Sequence, residues 1–387
     1  MSGLKVLVSG ASIAGPATAY WLAKAGAKVT VIERFPALRT GGQAVDIRTA
    51  GVSVMRKMAG LEAAVRAKST QEEGISFVRE DGTPYGVIRP TVACLGDNNN
   101  INYIFDKQIA SMQQSEKIAG PITVTFAKGT EALEYDLVIA CDGATSRTRA
   151  LGLGCNVGDH IVSTNCWSAY FSIPQDVLSG SKIGQGFNAV RGRNISIGTD
   201  PAGFSRVLLM CMNSRGKSES ADAFREASAK GNDALKKYIA QHYSEVGWKC
   251  SIVLKEMTKS EDFYASEIVQ VKTPTLSKGR LIRSRSHRRW NQRRLAGAYI
   301  LAGELSKHKG DITAGLEGYE QQVRPLVNEM QVIPPLITTI LAPQTAWGIW
   351  LRNNIFAFVA WTGLVELAQR YIGAGFGDAK SISNSGV

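Results

Sequence analysis

Lys5–Ser9 is a short, largely apolar run that stops at Gly10. Consecutive apolar positions over so few residues predict a buried strand. Ala14–Ala25 is rich in Ala and Leu and is followed by Gly26, which predicts a helix with a glycine stop. Lys28–Glu33 is β-branched and alternating, a second strand. Strand, helix and strand together fill about 30 residues, the length of a βαβ unit.

Further along, 36–50 reads as a loop containing Gly41-Gly42, 51–68 as helix, and 75–89 as a hairpin turning at Asp81-Gly82. Asn102–Phe105, Ile122–Phe126 and Tyr135–Ala140 read as strands, while 90–102 is polar and turn-like. Residues 161–275 mix strands at 166–173, 194–199 and 205–212 with helix at 221–241, the pattern of a second domain around an antiparallel sheet. Residues 295–330 read as helical and 335–373 as apolar tail helices. The expected fold is α/β. A Rossmann-like nucleotide-binding βαβ domain is assembled from 1–75, 103–160 and 276–330. An antiparallel-sheet substrate domain, from 76–102 and 161–275, is interleaved with it, and 331–387 form a C-terminal helical tail.

Composition narrows the function. A chain of 387 residues, 44% hydrophobic, buries enough for two fused domains. Its six cysteines are scattered with no CxxC pair, as expected of free thiols in a reducing compartment. The four histidines leave little from which to build a metal site or a Ser–His–Asp triad, and His160 and His308 read as surface residues. The net charge of +12 invites a nucleic-acid reading, but 278–294 alone hold eight Lys/Arg and no acid, so one segment supplies most of the excess. The apolar run Ile355–Val365, bounded by Arg352 and Glu366, is too short to span a bilayer and suits a buried helix. No signal peptide is read at the N-terminus, and a cytoplasmic location is expected.

Two motifs carry the chemistry. Gly10-Ala11-Ser12-Ile13-Ala14-Gly15 stands between the first strand and its helix, where a dinucleotide fingerprint belongs. Gly10 permits the tight turn, a small residue at Ser12 lets the backbone approach a pyrophosphate, and Gly15 lets helix and strand pack closely. Glu33 ends the second strand, where a carboxylate accepts from ribose hydroxyls. The second motif is an apolar strand, 136–141, running into Asp142-Gly143 and then Ser146, Arg147 and Arg149. An Asp at the carboxyl end of a parallel strand stands where open α/β sheets bind ligands.

On these residues the chain resembles the group A flavoprotein monooxygenases, the aromatic hydroxylase family. The resemblance rests on GASIAGPATAYWLAKAG at 10–26, Glu33-Arg34, GGQAVDIR at 41–48 and DLVIACDG at 136–143. AGAYILAGEL at 296–305 and APQTAWGIW at 342–350 resemble its fungal small-molecule branch. It implies FAD as cofactor and NAD(P)H and O2 as co-substrates. Gly10, Ala11, Ser12, Ile13, Ala14 and Gly15 would line the FAD pyrophosphate, Glu33 would hold the adenosine ribose, and Arg34 would lie near the adenine. Gln43, Ala44, Asp46 and Arg48 would run beside the flavin, with Asp142 and Gly143 in a motif shared by FAD and NAD(P)H binding. One atom of O2 would go to an electron-rich ring or alkene of a small, aromatic or polyketide-type substrate, and no protein nucleophile or metal is required.

The chain departs from the family pattern twice. The family's Gly-Asp pair and proline-rich loop have no counterpart between Gly279-Arg280 and Ala296, and the usual Arg-bearing helix is missing at 90–102. A cofactor-impaired or mis-spliced form of the enzyme is one alternative, and a related flavin oxidase or halogenase the other.

Overall fold

The computed structural model describes residues 3–38, 50–67, 72–88, 101–116, 120–129, 131–200, 202–214, 219–283, 291–333 and 337–362. The chain opens with β1 (Lys5–Ser9), α1 (Ala14–Lys24) and β2 (Lys28–Ile32), then α2 (Ala50–Arg56) and α3 (Leu61–Ala67). A hairpin of β3 (Gly74–Val78) and β4 (Pro84–Ile88) precedes β5 (Asn102–Ile104). Next come β6 (Ile109–Gln114), β7 (Ile122–Phe126), β8 (Ala132–Tyr135), β9 (Leu137–Ala140) and α4 (Arg147–Leu153). The middle of the chain holds β10 (Ile161–Ile173), β11 (Ile183–Ala189), β12 (Arg193–Thr199) and β13 (Ser205–Met212). It continues with α5 (Glu219–Ala229), α6 (Asn232–Tyr243), α7 (Cys250–Lys259) and β14 (Tyr264–Val271). The remainder is β15 (Ser277–Lys278), β16 (Leu281–Arg283), α8 (Asn291–Lys307), α9 (Ile312–Gln331), α10 (Ile337–Leu341) and α11 (Ala346–Trp361).

These strands form three sheets. The first runs β15-β16-β9-β1-β2-β5 and is parallel except at β15. Its strands are apolar at successive positions because both faces are covered. Val6, Val8, Val31 and Ile139 pack with residues of α1, α8 and α9, including Trp21, Tyr299 and Tyr319. Leu7, Ile32 and Val138 face the three-stranded sheet β6-β7-β8 through Ile122 and Val124. The second large sheet runs β14-β10-β13-β12-β11-β3-β4 and is antiparallel except where β3 pairs with β11. One face is packed by α5, α6 and α7: Trp167, Ile195, Ile197, Leu209 and Cys211 meet Phe224, Ile239, Val253 and Met257.

Several elements differ from their sequence reading. The helix expected at 51–68 is broken between Arg56 and Leu61, where Gly60 takes φ 74°. The helix expected at 221–241 is two, α5 and α6, parted at Gly231 with φ 103°. A glycine in that region of the map ends a helix at little cost. The single strand expected at Tyr135–Ala140 splits at Asp136, where β8 turns into the small sheet and β9 enters the parallel one. β6, β11, β14 and α7 had no sequence assignment. β11, IGQGFNA, carries two glycines that lower its strand character, and tertiary pairing overrides them. No described helix is long and apolar enough to cross a membrane.

Candidate functional site

The first sheet presents the carboxyl ends of β1, β2 and β9 side by side. The chain leaves β1 at Gly10 with φ 105°, a conformation glycine enters freely and L side chains do not. A Cβ there would lie 2.6 Å from the Cys141 carbonyl oxygen and 2.9 Å from Asp142 Cα. The turn therefore lies flat against the strand end that carries the second motif. Gly15 is tighter still: its Cβ would lie 1.9 Å from the Gly10 carbonyl oxygen. Hydrogen bonds pin the turn on both sides, Gly10 N donating to Ile32 O and Cys141 N to Ser9 O, each at 2.8 Å.

Helix α1 opens without a side-chain cap at Ile13, and no acid stands in its first turn. Such an end offers backbone N–H donors and the positive pole of the helix dipole, which suits an anion. Glu33 lies across the turn. Its Oε2 accepts from Ala11 N at 2.8 Å and its Oε1 from Phe35 N at 3.2 Å. A carboxylate has about four acceptor sites, so two remain for sugar hydroxyls. The residues present thus fit a dinucleotide: a turn packed too closely for a side chain at Gly10 or Gly15, an uncapped helix end, and a carboxylate with acceptor sites to spare. Arg34 is exposed, its guanidinium 4.8 Å from the Phe35 ring centre.

Asp142 points inward. Its carboxylate accepts from Ser146 Oγ and, at 3.1 Å, from Thr148 N, while Ser146 Oγ caps α4 by accepting from Arg149 N at 2.9 Å. Arg149 is buried and donates to Ala144 O at 2.6 Å and Val157 O at 2.8 Å, tying the loop before α4 to the segment that follows it. Thr148 Oγ1 donates to Ser9 Oγ at 2.9 Å, tying α4 to the end of β1. Asp142 therefore shapes the backbone beside Gly10 through hydrogen bonds within its own loop.

The structure brings Gly10, Ala11, Ser12, Ile13, Ala14, Gly15, Glu33, Asp142 and Gly143 to one edge of the first sheet. Gln43, Ala44, Asp46 and Arg48 lie outside the described residues, as do 89–100 and 284–290, where the chain departs from the family pattern. Among the described residues no group of three or more His, Cys, Asp or Glu is placed to hold a metal.

Three polar residues escaped the sequence reading because only the fold gives them a context. His242 Nε2 lies 3.4 Å from Cys211 Sγ beneath the second sheet. Burial pushes the thiol up to about 12, and burial with Arg193 and Arg191 nearby pulls the imidazole down to about 4. Both are neutral at physiological pH, so this pair is core, not a nucleophile with its base. Glu72 lies over the cross-strand glycines Gly184 and Gly198 and accepts from Thr199 N at 3.0 Å; burial raises its carboxyl above the ordinary range. Arg352, on α11, is half-buried near Phe77.

Comparison with known proteins agrees with this geometry. Residues 3–96 match the model of an FAD binding domain. The FAD-dependent monooxygenase asL4 of Sarocladium schorii is 29% identical, the match covering 93% of each chain. An uncharacterized protein of Mycobacterium tuberculosis is 30% identical over 84% of this chain and 91% of its own. The crystal structure of tetracycline destructase Tet(55) superposes with a TM-score of 0.75 at 28% identity, covering 93% of this chain and 98% of that one.

Proposed function

The chain belongs to the group A flavoprotein monooxygenases, which are FAD-dependent oxidoreductases, and from that premise we propose that it uses NAD(P)H and O2 to hydroxylate or epoxidise a small aromatic or polyketide-type molecule. The observation that carries the reading is the closed turn at Gly10, with Gly15 packed on its carbonyl before an uncapped helix end. The similarity to a tetracycline destructase supports a multi-ring substrate.

Bound at this turn, FAD supplies the chemistry of oxygen activation and the transfer of one oxygen atom to the substrate. The protein's part is to bind, orient and exclude water. In this proposal the turn at Gly10 and Ala11 brings the backbone beside the pyrophosphate and the amides from Ser12 to Gly15 hold it, Glu33 accepts from the adenosine ribose, and Arg34 lies beside the adenine. Gln43, Ala44, Asp46 and Arg48 contribute along the flavin. Asp142 and Gly143 set the shape of the adjoining turn. The substrate rests on the face of the second sheet opposite α5–α7, where α11 also packs.

The absorption spectrum of the purified protein tests this. Flavin bands after incubation with FAD, bleached by NADPH under anaerobic conditions, are the expected result. A protein that stays colourless and gains no thermal stability from FAD refutes it and favours the cofactor-impaired form.

A further inference from the structure

Helix α11 packs on β4 and β11 of the second sheet. The side turned to the sheet is filled: Asn353 is buried, and Phe356 meets Phe77 edge-on with 5.8 Å between ring centres. The outer side carries no such cover. Trp347 is 68% exposed, Trp350 58%, Ile355 54% and Phe358 59%, where a solvated helix would carry polar residues. The run from Ile355, expected from the sequence to suit a buried helix, thus keeps two of its large side chains in the open. With about 3.6 residues per turn, these four and Asn354 fall within an arc of about 140°. Next to it, α10 adds Ile340, also exposed, beside Leu341, whose carbonyl oxygen accepts from Arg352 Nη1 at 3.1 Å. Single exposed apolar side chains are ordinary, but a group of this size built on two tryptophans marks a surface that meets something.

The polar groups on this side are spent within the helix. Asn354 Nδ2 donates to Trp350 O at 2.8 Å, Thr362 Oγ1 donates to Phe358 O at 3.0 Å, and Thr345 Oγ1 accepts from Gly348 N at 3.1 Å. Side chains bonded to their own helix need no partner outside it, which lowers the cost of leaving water for hydrocarbon. A protein partner is met through a polar rim with donors and acceptors to offer. Here the outer arc offers indole rings, whose apolar body and single N–H suit the boundary between headgroups and acyl chains.

Charge points the same way. From Met330 to Val365 the sequence holds no Asp or Glu and a single cation, Arg352. The whole chain carries a net charge of +12. Two copies with that charge repel each other, whereas an anionic surface attracts each of them. At 16 residues α11 is about 24 Å long, too short to cross a bilayer upright and suited to lie flat in its surface.

We propose that the outer face of α11 docks the protein onto an anionic lipid surface, with Trp347, Trp350, Ile355 and Phe358 entering the boundary between headgroups and acyl chains. Docking in this way needs neither FAD nor a substrate. Taking three of these side chains out of the contact lowers the partition at least about a hundredfold.

The test is flotation of the full chain with vesicles of phosphatidylcholine alone and of phosphatidylcholine mixed with phosphatidylglycerol. Wild type is expected to float with the mixed vesicles at least about tenfold more strongly than with the neutral ones, and its tryptophan emission to shift to the blue. Trp347→Ser, Trp350→Ser and Phe358→Ser together are expected to abolish flotation and leave the melting temperature close to that of the wild type. A wild type that stays in solution or floats equally with both vesicles overturns the proposal, as does a triple variant that still floats. A concentration-dependent dimer in sedimentation velocity that the triple substitution abolishes also overturns it, because a second copy then covers the face. Should the triple variant fail to fold, the wild type decides alone: emission quenched by brominated phosphatidylglycerol supports docking, and emission left unchanged overturns it. The flavin spectrum reports separately on the monooxygenase reading, so a coloured protein that ignores vesicles defeats this inference only.

Discussion

Replacing Gly15 with alanine adds one methyl group at the closest contact in the nucleotide turn. The new carbon would lie 1.9 Å from the Gly10 carbonyl oxygen and 3.5 Å from Val8 Cγ1. Normal contact with an oxygen is roughly 3.3 Å, so helix and turn must part by more than 1 Å; inserting a methyl into such a packed site costs about 1–3 kcal/mol. Alanine is the better helix former by up to about 1 kcal/mol, which offsets part of this. The net loss is about 1–2 kcal/mol, a fall in melting temperature of roughly 1–3 °C for a chain of this size. The effect on FAD is larger, because the amides facing the pyrophosphate move together. Weakening even one charge-assisted hydrogen bond costs about 1.5–3 kcal/mol, tenfold or more in dissociation constant. Calorimetry and quenching of flavin fluorescence measure the two effects. Gly297→Ala is the control: it lies in α8, and its Cβ would meet only Tyr319 Oη at 3.7 Å, an ordinary contact. If Gly15→Ala melts with the wild type and binds FAD as tightly, the turn has slack that these distances deny, and the argument from close packing fails.

Glu33→Gln keeps an acceptor for Ala11 N but removes the charge, so FAD affinity is expected to fall about tenfold with little change in the melting temperature of the apoprotein, as a fluorescence titration will show. His242 has its pKa lowered to about 4 by burial, from an ordinary 6.5. The unfolded chain takes up that proton first on acidification, so stability is lost as pH falls from about 6.5 to about 4. The loss is on the order of 2 kcal/mol once its partial exposure is allowed for, and His242→Gln should flatten the melting temperature over that window. Glu72 has the opposite sign for stability near neutrality. Burial raises its pKa above 4.5, so its contribution is full below that value and lost as pH rises through the folded one. Glu72→Gln should therefore raise the melting temperature at pH 7 and leave it unchanged at pH 4; a variant that melts lower at both values contradicts this.

The nucleotide turn was legible because its physics is local. Strand, Gly10, Gly15 and helix are contiguous, and the carboxylate of Glu33 returns after a fixed length of chain. The apolar runs of β1 and β9 likewise announced strands. Asp142 was visible as a residue, but its inward direction was not, since that depends on Ser146 and Thr148 turning back as α4 begins. The polar features of the second sheet were hidden for a different reason. Glu72 matters through Gly184 and Gly198, more than 100 residues away, and Arg352 through Phe77 and Leu341. No spacing in the sequence records pairs that only sheet order brings together. Arg352 was noted there only as the charged boundary of an apolar run.

The strand β16 has a consequence for how this molecule is made. It lies against β9 in the parallel sheet, although about 140 residues separate the two in the chain, and α8 beyond it packs on α1. During synthesis the amino-terminal βαβ unit therefore waits, with one sheet flank bare and Trp21 lacking its neighbour Tyr299, until about three-quarters of the polypeptide has left the ribosome. Fragments ending before Leu281 would keep that greasy flank open and invite association with one another, whereas the finished chain seals it with its own late-arriving segment.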